Sequence, residues 1–297
     1  MKNLKFLVLF AALFAACSSN NSNEEPLTIG FMSSINAIPY IVSQQNGYLA
    51  DNVELMFFRD SAERDAAAQA GLLHGVMTDM LAYFLFLEGG GNQIGISATQ
   101  GRFGIATNND EVQTPRDLEG KSVGSQTNSI VEVFLDIFVQ EDGGDPSLVT
   151  QELIPPTPLR LEALRERRID AAMLSEPFLS SITQEPGGRV LAASEAPFTL
   201  VMVEAQVFES RRDELAALYT AIDQAIDFIE NTPLEDFLPA AVEALGLGDS
   251  VTADTLPTFL RYSLPDEQSF NFVQQWMRDD GRIQGTYNYS EFMRRVK

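Results

Sequence analysis

One cysteine, one histidine and one tryptophan stand in 297 residues. Lysine is nearly as scarce, with Lys2, Lys5, Lys121 and Lys297 the whole supply. These shortages exclude chemistry. A single thiol at Cys17 permits no disulfide within the chain, and one histidine, His74, cannot build a His/Cys metal site. The carboxylates are scattered rather than clustered, so no metal and no cofactor are expected. Neither a Gly-x-Ser-x-Gly elbow nor a Gly-x-x-x-x-Gly-Lys phosphate loop occurs. Positive charge is short too: 20 basic residues face 42 acidic ones, a net charge of −22. Such a surface repels nucleic acid, whose binding depends on neutralised phosphates, and it disfavours adhesion to anionic lipid.

What is present begins with a leader. Lys2 and Lys5 precede an apolar run, Phe6 to Ala16, that falls short of the ~20 residues a spanning helix needs. Residues 1–16 therefore read as a signal peptide. Ala15-Ala16 directly before Cys17 resembles a bacterial lipobox, which implies acylation of Cys17 and a membrane anchor. Residues 17–26 read as a polar tether, with no apolar side chain from Ser18 to Pro26.

The rest is globular in composition, 45% hydrophobic and 21% charged. One stretch organises it. Arg168-Ile169-Asp170-Ala171-Ala172-Met173-Leu174-Ser175-Glu176-Pro177 reads as a helix end, a buried strand and a loop ending in a carboxylate. Leu72-Leu73-His74-Gly75-Val76-Met77-Thr78-Asp79 says nearly the same. Aligning Ile169 with Leu73 sets Ala171 on Gly75, Met173 on Met77 and Ser175 on Asp79. The repetition predicts an α/β fold of two lobes, each offering a polar loop at the carboxyl end of a strand. A cleft between such lobes is a ligand site by geometry.

Lobe one is expected over 27–101 and 199–297, and lobe two over 102–198. Leu27 to Met32, Val53 to Phe58, Gly75 to Thr78 and Gln93 to Ala98 read as the strands of a βαβαβαβ series. Met80 to Leu87 is a buried helix between the last two. Thr99 to Arg102 is the first crossing between lobes, and Phe198 to Val203 the return. In lobe two, Gln126-Thr127-Asn128-Ser129 opens a helix after the strand Ser122 to Ser125. Ser210 is expected to cap a helix with Leu215, Leu218, Ile222, Ile226 and Ile229 on one face. Helical segments at about 234–245, 253–262 and 267–278 complete the carboxyl-terminal part.

Several blocks resemble a known family. They are Ile29-Gly30-Phe31, Tyr40 to Leu49 with its Gly47-Tyr48 ending, Pro115 to Gly124, and Arg167 to Ala172 followed by Glu176-Pro177. The chain resembles the nitrate/sulfonate/thiamine-pyrimidine-precursor group of ABC-transporter substrate-binding proteins. The resemblance implies a periplasmic-binding-protein-like fold with two inter-lobe crossings, an ABC permease as partner, and extracytoplasmic solute binding by a monomer. It departs from the group at His74, where an aspartate is usual. His74 is therefore read as a local hydrogen-bonding group, and Trp276 as core.

The residues expected to meet ligand are Ser33, Ser34, Asn36, Thr78, Asp79, Arg102, Gln126, Thr127, Asn128 and Glu176. If Asp79 and Glu176 both face the cleft, ligand N–H donors are favoured and small dianions repelled. The favoured solute is thus a weakly basic heterocycle of the thiamine-pyrimidine-precursor type, with a sulfonate- or nitrate-type oxyanion as the alternative. A pyrimidine-synthesising relative of this fold would need a reactive lysine and a histidine in the cleft. Lys121 sits inside a structural block, so no enzyme is expected. A membrane sensor in place of the importer stays open.

Overall fold

The computed structural model describes residues 25–59, 61–248 and 250–297. The signal peptide, Cys17 and all but the last two residues of the tether lie outside the described residues.

Among the described residues ten strands form two five-stranded mixed sheets. The first contains β1 (Leu27–Met32), β2 (Val53–Phe58), β3 (Gly75–Asp79), β4 (Gln93–Thr99) and β10 (Thr199–Glu204), in the order β2-β1-β3-β10-β4. The second contains β5 (Phe103–Thr107), β6 (Ser122–Ser125), β7 (Thr150–Leu153), β8 (Ala171–Ser175) and β9 (Arg189–Ser194), in the order β7-β6-β8-β5-β9. The chain passes from one sheet to the other between β4 and β5, and returns between β9 and β10. This is the two-lobed architecture with two crossings that the resemblance implies.

One expectation is corrected here. The first sheet is not an all-parallel series closed by its fourth strand. β4 meets the sheet through β10 and not through β3, and β10 lies antiparallel to both β3 and β4. Thr199 to Glu204 is thus an interior strand, and the return crossing is the short link before it. β5 does the same in the second sheet, antiparallel between β8 and β9. Each lobe borrows its antiparallel strand from the chain that has just crossed over.

Helices start where parallel strands end. In lobe one α1 (Ile38–Gln45) follows β1, α2 (Ser61–Gln69) follows β2 and α3 (Met80–Glu88) follows β3. In lobe two α4 (Ile130–Glu141), α5 (Thr157–Arg165) and α6 (Phe178–Ser181) follow β6, β7 and β8. Then come α7 (Ala205–Ser210), α8 (Arg212–Asn231), α9 (Leu234–Leu245), α10 (Glu267–Asp279) and α11 (Tyr289–Phe292). Ser210 ends α7 and donates to Gln206 O, so it does not cap α8. Residues 253–262 form only one helical turn, because Pro257 holds Leu256 extended.

Three apolar cores hold these layers. α1, α8 and α9 cover one face of the first sheet, with Leu215, Leu218, Ile222 and Ile226 as the buried stripe of α8. Each such side chain contributes about 1.5–3 kcal/mol on burial. α5 and α6 cover one face of the second sheet. The third core belongs to both lobes, joining Met80 and Phe84 of α3, Ile130 and Phe134 of α4, and Phe270 and Val273 of α10. Phe103 and Phe198, flanking the two crossings, pack against Phe134 with ring centroids at 5.5 and 5.2 Å, the first stacked and the second tilted. α10 also ties to lobe two through polar contacts. The Trp276 indole N–H donates to Asp136 at 3.1 Å, and Arg282, just beyond α10, pairs with Glu132. Trp276 is thus half-buried against the core that both lobes share.

Candidate functional site

The carboxyl ends of β1, β3, β6, β7 and β8 converge on a cavity of about 360 Å³ between the lobes. Its lobe-one wall comes from Ser33, Ser34 and Asn36 after β1, Ser61, Arg64 and Asp65 of α2, and Thr78 and Asp79 of β3. Lobe two adds Gln126, Asn128 and Ser129 after β6, Pro155 to Pro158 after β7, and Ser175 and Glu176 at the end of β8. Arg102 enters from the first crossing, and Thr199 from the start of β10. A Cβ at Gly101 would meet the Asn36 amide at 2.7 Å, so a side chain there would push Asn36 out of its place in the cavity wall.

Nine of the ten residues expected from sequence line this cavity: Ser33, Ser34, Asn36, Thr78, Asp79, Arg102, Gln126, Asn128 and Glu176. Thr127 does not; it is exposed, outside the lining. The segment from Gln126 to Ser129 is a loop rather than the first turn of a helix. Asn128 takes the left-handed conformation at φ 57°, and α4 begins only at Ile130. The Gln126 amide reaches across the cleft to donate to the Ser61 hydroxyl at 3.2 Å.

The two carboxylates are not free for ligand, which revises the charge reading made from sequence. Asp79 Oδ1 accepts from the Ala82 N–H at 2.9 Å and caps α3. Asp79 Oδ2 accepts from the Ser129 hydroxyl of the other lobe at 3.1 Å, and the Ile130 N–H donates to the same carboxylate. Desolvation pushes the Asp79 carboxyl above its ordinary range, opposed by the Ala82 and Ile130 N–H groups, Arg64 and Ser129. Glu176 is buried and saturated as well. Its oxygens accept from Arg102 at 2.6 Å, the Ser180 hydroxyl at 2.7 Å and the Ser180 N–H at 3.0 Å. Arg102 is therefore half spent on its own ion pair.

Sequence reasoning missed Arg59, Ser61, Arg64, Asp65, Thr157, Ser175 and Thr199. Arg64 is buried at the start of α2, donates to Met77 O at 2.8 Å and pairs with Asp65 at 2.7 Å. Arg59 is exposed at the rim and makes no ion pair among the described residues. A signal for the hydroxyls existed in the repeat, because the alignment of Leu73 with Ile169 also sets Ser61 on Thr157.

The remaining candidates lie elsewhere. His74 stands at the start of β3, where its N–H donates to Thr28 O at 2.8 Å and its Nδ1 accepts from the Thr28 N–H at 3.1 Å. That local role is the one expected. Lys121 pairs with Glu111 at 2.6 Å, outside the cavity lining. Among the described residues no group of His, Cys, Asp and Glu could hold a metal ion, and no helix is long and apolar enough to cross a membrane.

Solved structures share this arrangement. The periplasmic aliphatic sulphonate binding protein SsuA from Escherichia coli superposes with a TM-score of 0.75 at 15% identity, over 91% of this chain and 97% of that one. The alkanesulfonate-binding protein SsuA from Xanthomonas axonopodis pv. citri, bound to MOPS, gives 0.71 at 14% identity over 92% and 99%. The periplasmic nitrate-binding protein NrtA from Synechocystis PCC 6803 gives 0.61 at 12% identity over 74% and 66%. At these identities the likeness concerns the fold, which is that of the periplasmic binding proteins. No curated protein matches the chain in sequence. Residues 20–242 match the NMT1-like family, and the chain belongs to that family.

Proposed function

We propose that this protein is the extracytoplasmic solute-binding component of an ABC importer, and that its cleft takes a small organic anion of the sulfonate type. The observation that carries the anion reading is the state of the two cleft carboxylates. Asp79 and Glu176 already accept from protein donors, so neither needs a ligand N–H. What faces the cavity is a set of donors: the Ser33, Ser34, Ser61, Thr157 and Ser175 hydroxyls, the Asn36 and Asn128 amides, and the Arg59 guanidinium. The sulfonate and nitrate ligands named for the structural neighbours agree with this chemistry.

A second reading is a small heterocycle of the thiamine-pyrimidine-precursor type. Phe103 and Phe178 in the lining offer ring faces, and the Gln126 and Asn128 amides can both donate and accept. A thermal-shift panel of ethanesulfonate, nitrate, thiamine and its pyrimidine precursors separates the two. A ligand at a hundred times its Kd stabilises the fold by about 2.7 kcal/mol. Stabilisation by the sulfonate supports the first reading, and stabilisation by the pyrimidines alone replaces it with the second.

The anchor and the partners belong to the same proposal. Acylation at Cys17 would tether a monomer to the membrane on its outer face, beside the permease. Labelled fatty acid should co-migrate with the protein and vanish in Cys17→Ser; retained label would remove the anchor.

A further inference from the structure

One carboxylate of the cleft serves both lobes. Asp79 ends β3, caps α3 of its own lobe, and takes the Ser129 hydroxyl and the Ile130 N–H at the start of α4. Ser129 precedes α4 as its N-cap residue yet makes no side-chain capping bond of its own. The positive end of α4 thus already holds an anion, and that anion belongs to the protein. Lobe two has uncharged Ser175 at the corresponding strand end, so the fold does not demand a charge there.

The ionisable side chains of the cavity balance. Arg59, Arg64 and Arg102 face Asp65, Asp79 and Glu176. Arg64 pairs with Asp65 at 2.7 Å and Arg102 with Glu176 at 2.6 Å. Arg59 and Asp79 are left as the charges without an ion pair among the described residues. A single ligand charge has Arg59 to meet it. A second charge finds the start of α4 occupied, and Asp79 repels it through a cleft of reduced dielectric. We propose that Asp79 is a specificity-determining residue that admits monoanionic solutes to the cleft and turns dianions away; this rests on the anion reading above.

Ethanesulfonate and ethane-1,2-disulfonate carry one and two charges across the whole working pH range, so they isolate charge from titration. Calorimetric titration compares them on the full-length protein and on Asp79→Asn, Asp79→Ser and Asp79→Glu. Asp79→Ser copies the lobe-two residue and carries the comparison if Asp79→Asn does not melt cooperatively. Wild type should bind the monosulfonate at least about tenfold tighter than the disulfonate. That ratio should fall about tenfold in Asp79→Asn and Asp79→Ser and persist in Asp79→Glu. A ratio that is unchanged in the neutral variants overturns the charge filter and leaves the anion reading standing. If neither sulfonate binds wild type, the anion reading falls and the filter falls with it.

Discussion

Shifting the numbering by 96 lays one lobe on the other, carrying α2 onto α5 and β3 onto β8 with identical limits, and β5 onto the first five residues of β10. The correspondence reaches single side chains. Arg64 of α2 donates to Met77 O at 2.8 Å, and Arg160 of α5 donates to Met173 O at 2.7 Å. Beyond that shared bond the two arginines diverge. Arg64 has Asp65 beside it and lines the cavity. Arg160 has buried Leu161 in that place and makes no ion pair among the described residues. Its other N–H groups go to Ile154 O, Pro155 O and the Thr157 hydroxyl, and burial brings its pKa down to about 10. The same position thus carries a cleft charge in one lobe and a carbonyl clamp in the other. Backbone geometry repeats, while the chemistry at the cleft comes from the positions where the lobes differ.

The arginine pair gives the largest test. Arg160→Met should strand buried carbonyls and cost on the order of 3–5 kcal/mol in urea unfolding, much as breaking a buried pair does. Arg64→Met should cost less, about 1.5–3 kcal/mol, because its partner Asp65 keeps access to water. Equal losses would mean that the clamp and the cleft charge are energetically alike, and the contrast between lobes would collapse.

α1 and α4 hold corresponding places beside β1 and β6 but meet different neighbours. α1 packs on the apolar faces of α8 and α9. α4 meets α3 and α10, and its Glu132, almost wholly buried, relies on Arg282. Desolvation raises the Glu132 carboxyl, and the Arg282 charge works against it. Arg282→Gln should therefore cost about 1.5–3 kcal/mol, with part of the loss recovered in the double variant with Glu132→Gln. Strict additivity in that double-mutant cycle would show the tie to be inert.

The strand starts offer a finer contrast. His74 and Asp170 occupy equivalent positions, each bonded to the strand beside it. Asp170 accepts from the Ser122 N–H and hydroxyl, both at 2.9 Å, and from Asn109 at 2.8 Å. Desolvation opposes ionisation there, but these donors and Lys121 hold the carboxyl below its usual range. Its contribution is present above the unfolded pKa and is lost as pH falls through the folded one. Asp170→Asn should cost about 1–2 kcal/mol near neutrality, discounted for exposure, and nothing once the carboxyl is protonated. A loss independent of pH would point to packing rather than charge.

Much of this was legible in advance, and the reason is periodicity. Gly75 to Asp79 and Ala171 to Ser175 are short apolar strands bounded by polar loops, a pattern that survives any neighbour. The helices with an apolar stripe or an apolar run, α3 and α8 among them, were readable for the same reason. Long-range pairing was not. Thr199 to Glu204 looks like any buried strand, and nothing local says that it inserts antiparallel between β3 and β4. Asp79 and Glu176 were found, but not their saturation, because Ser129 and Arg102 reach them from 50 and 74 residues away. Arg64 was overlooked since its neighbours Ala62, Ala66, Ala67 and Ala68 read as plain helix.

The last contrast lies between Asp79 and its lobe-two counterpart, Ser175, and the expected effect is the smallest. Desolvation raises the Asp79 carboxyl in the folded state despite its donors and nearby Arg64. Between the unfolded pKa and that raised value, the native state binds more protons than the unfolded chain. Stability from this group therefore rises as pH falls through the window, and the cost of keeping the charge is fully present at neutrality. Asp79→Asn removes the titration but keeps one acceptor for Ala82 or Ser129. Wild type and variant, melted side by side from pH 7 downward, should diverge in favour of wild type as the acid limb is entered. Every other carboxylate is common to both proteins, so the difference in Tm isolates this one group. A difference that stays flat, or moves toward the variant on acidification, would mean that the bonds to α3 and α4 outweigh desolvation and hold Asp79 ionised.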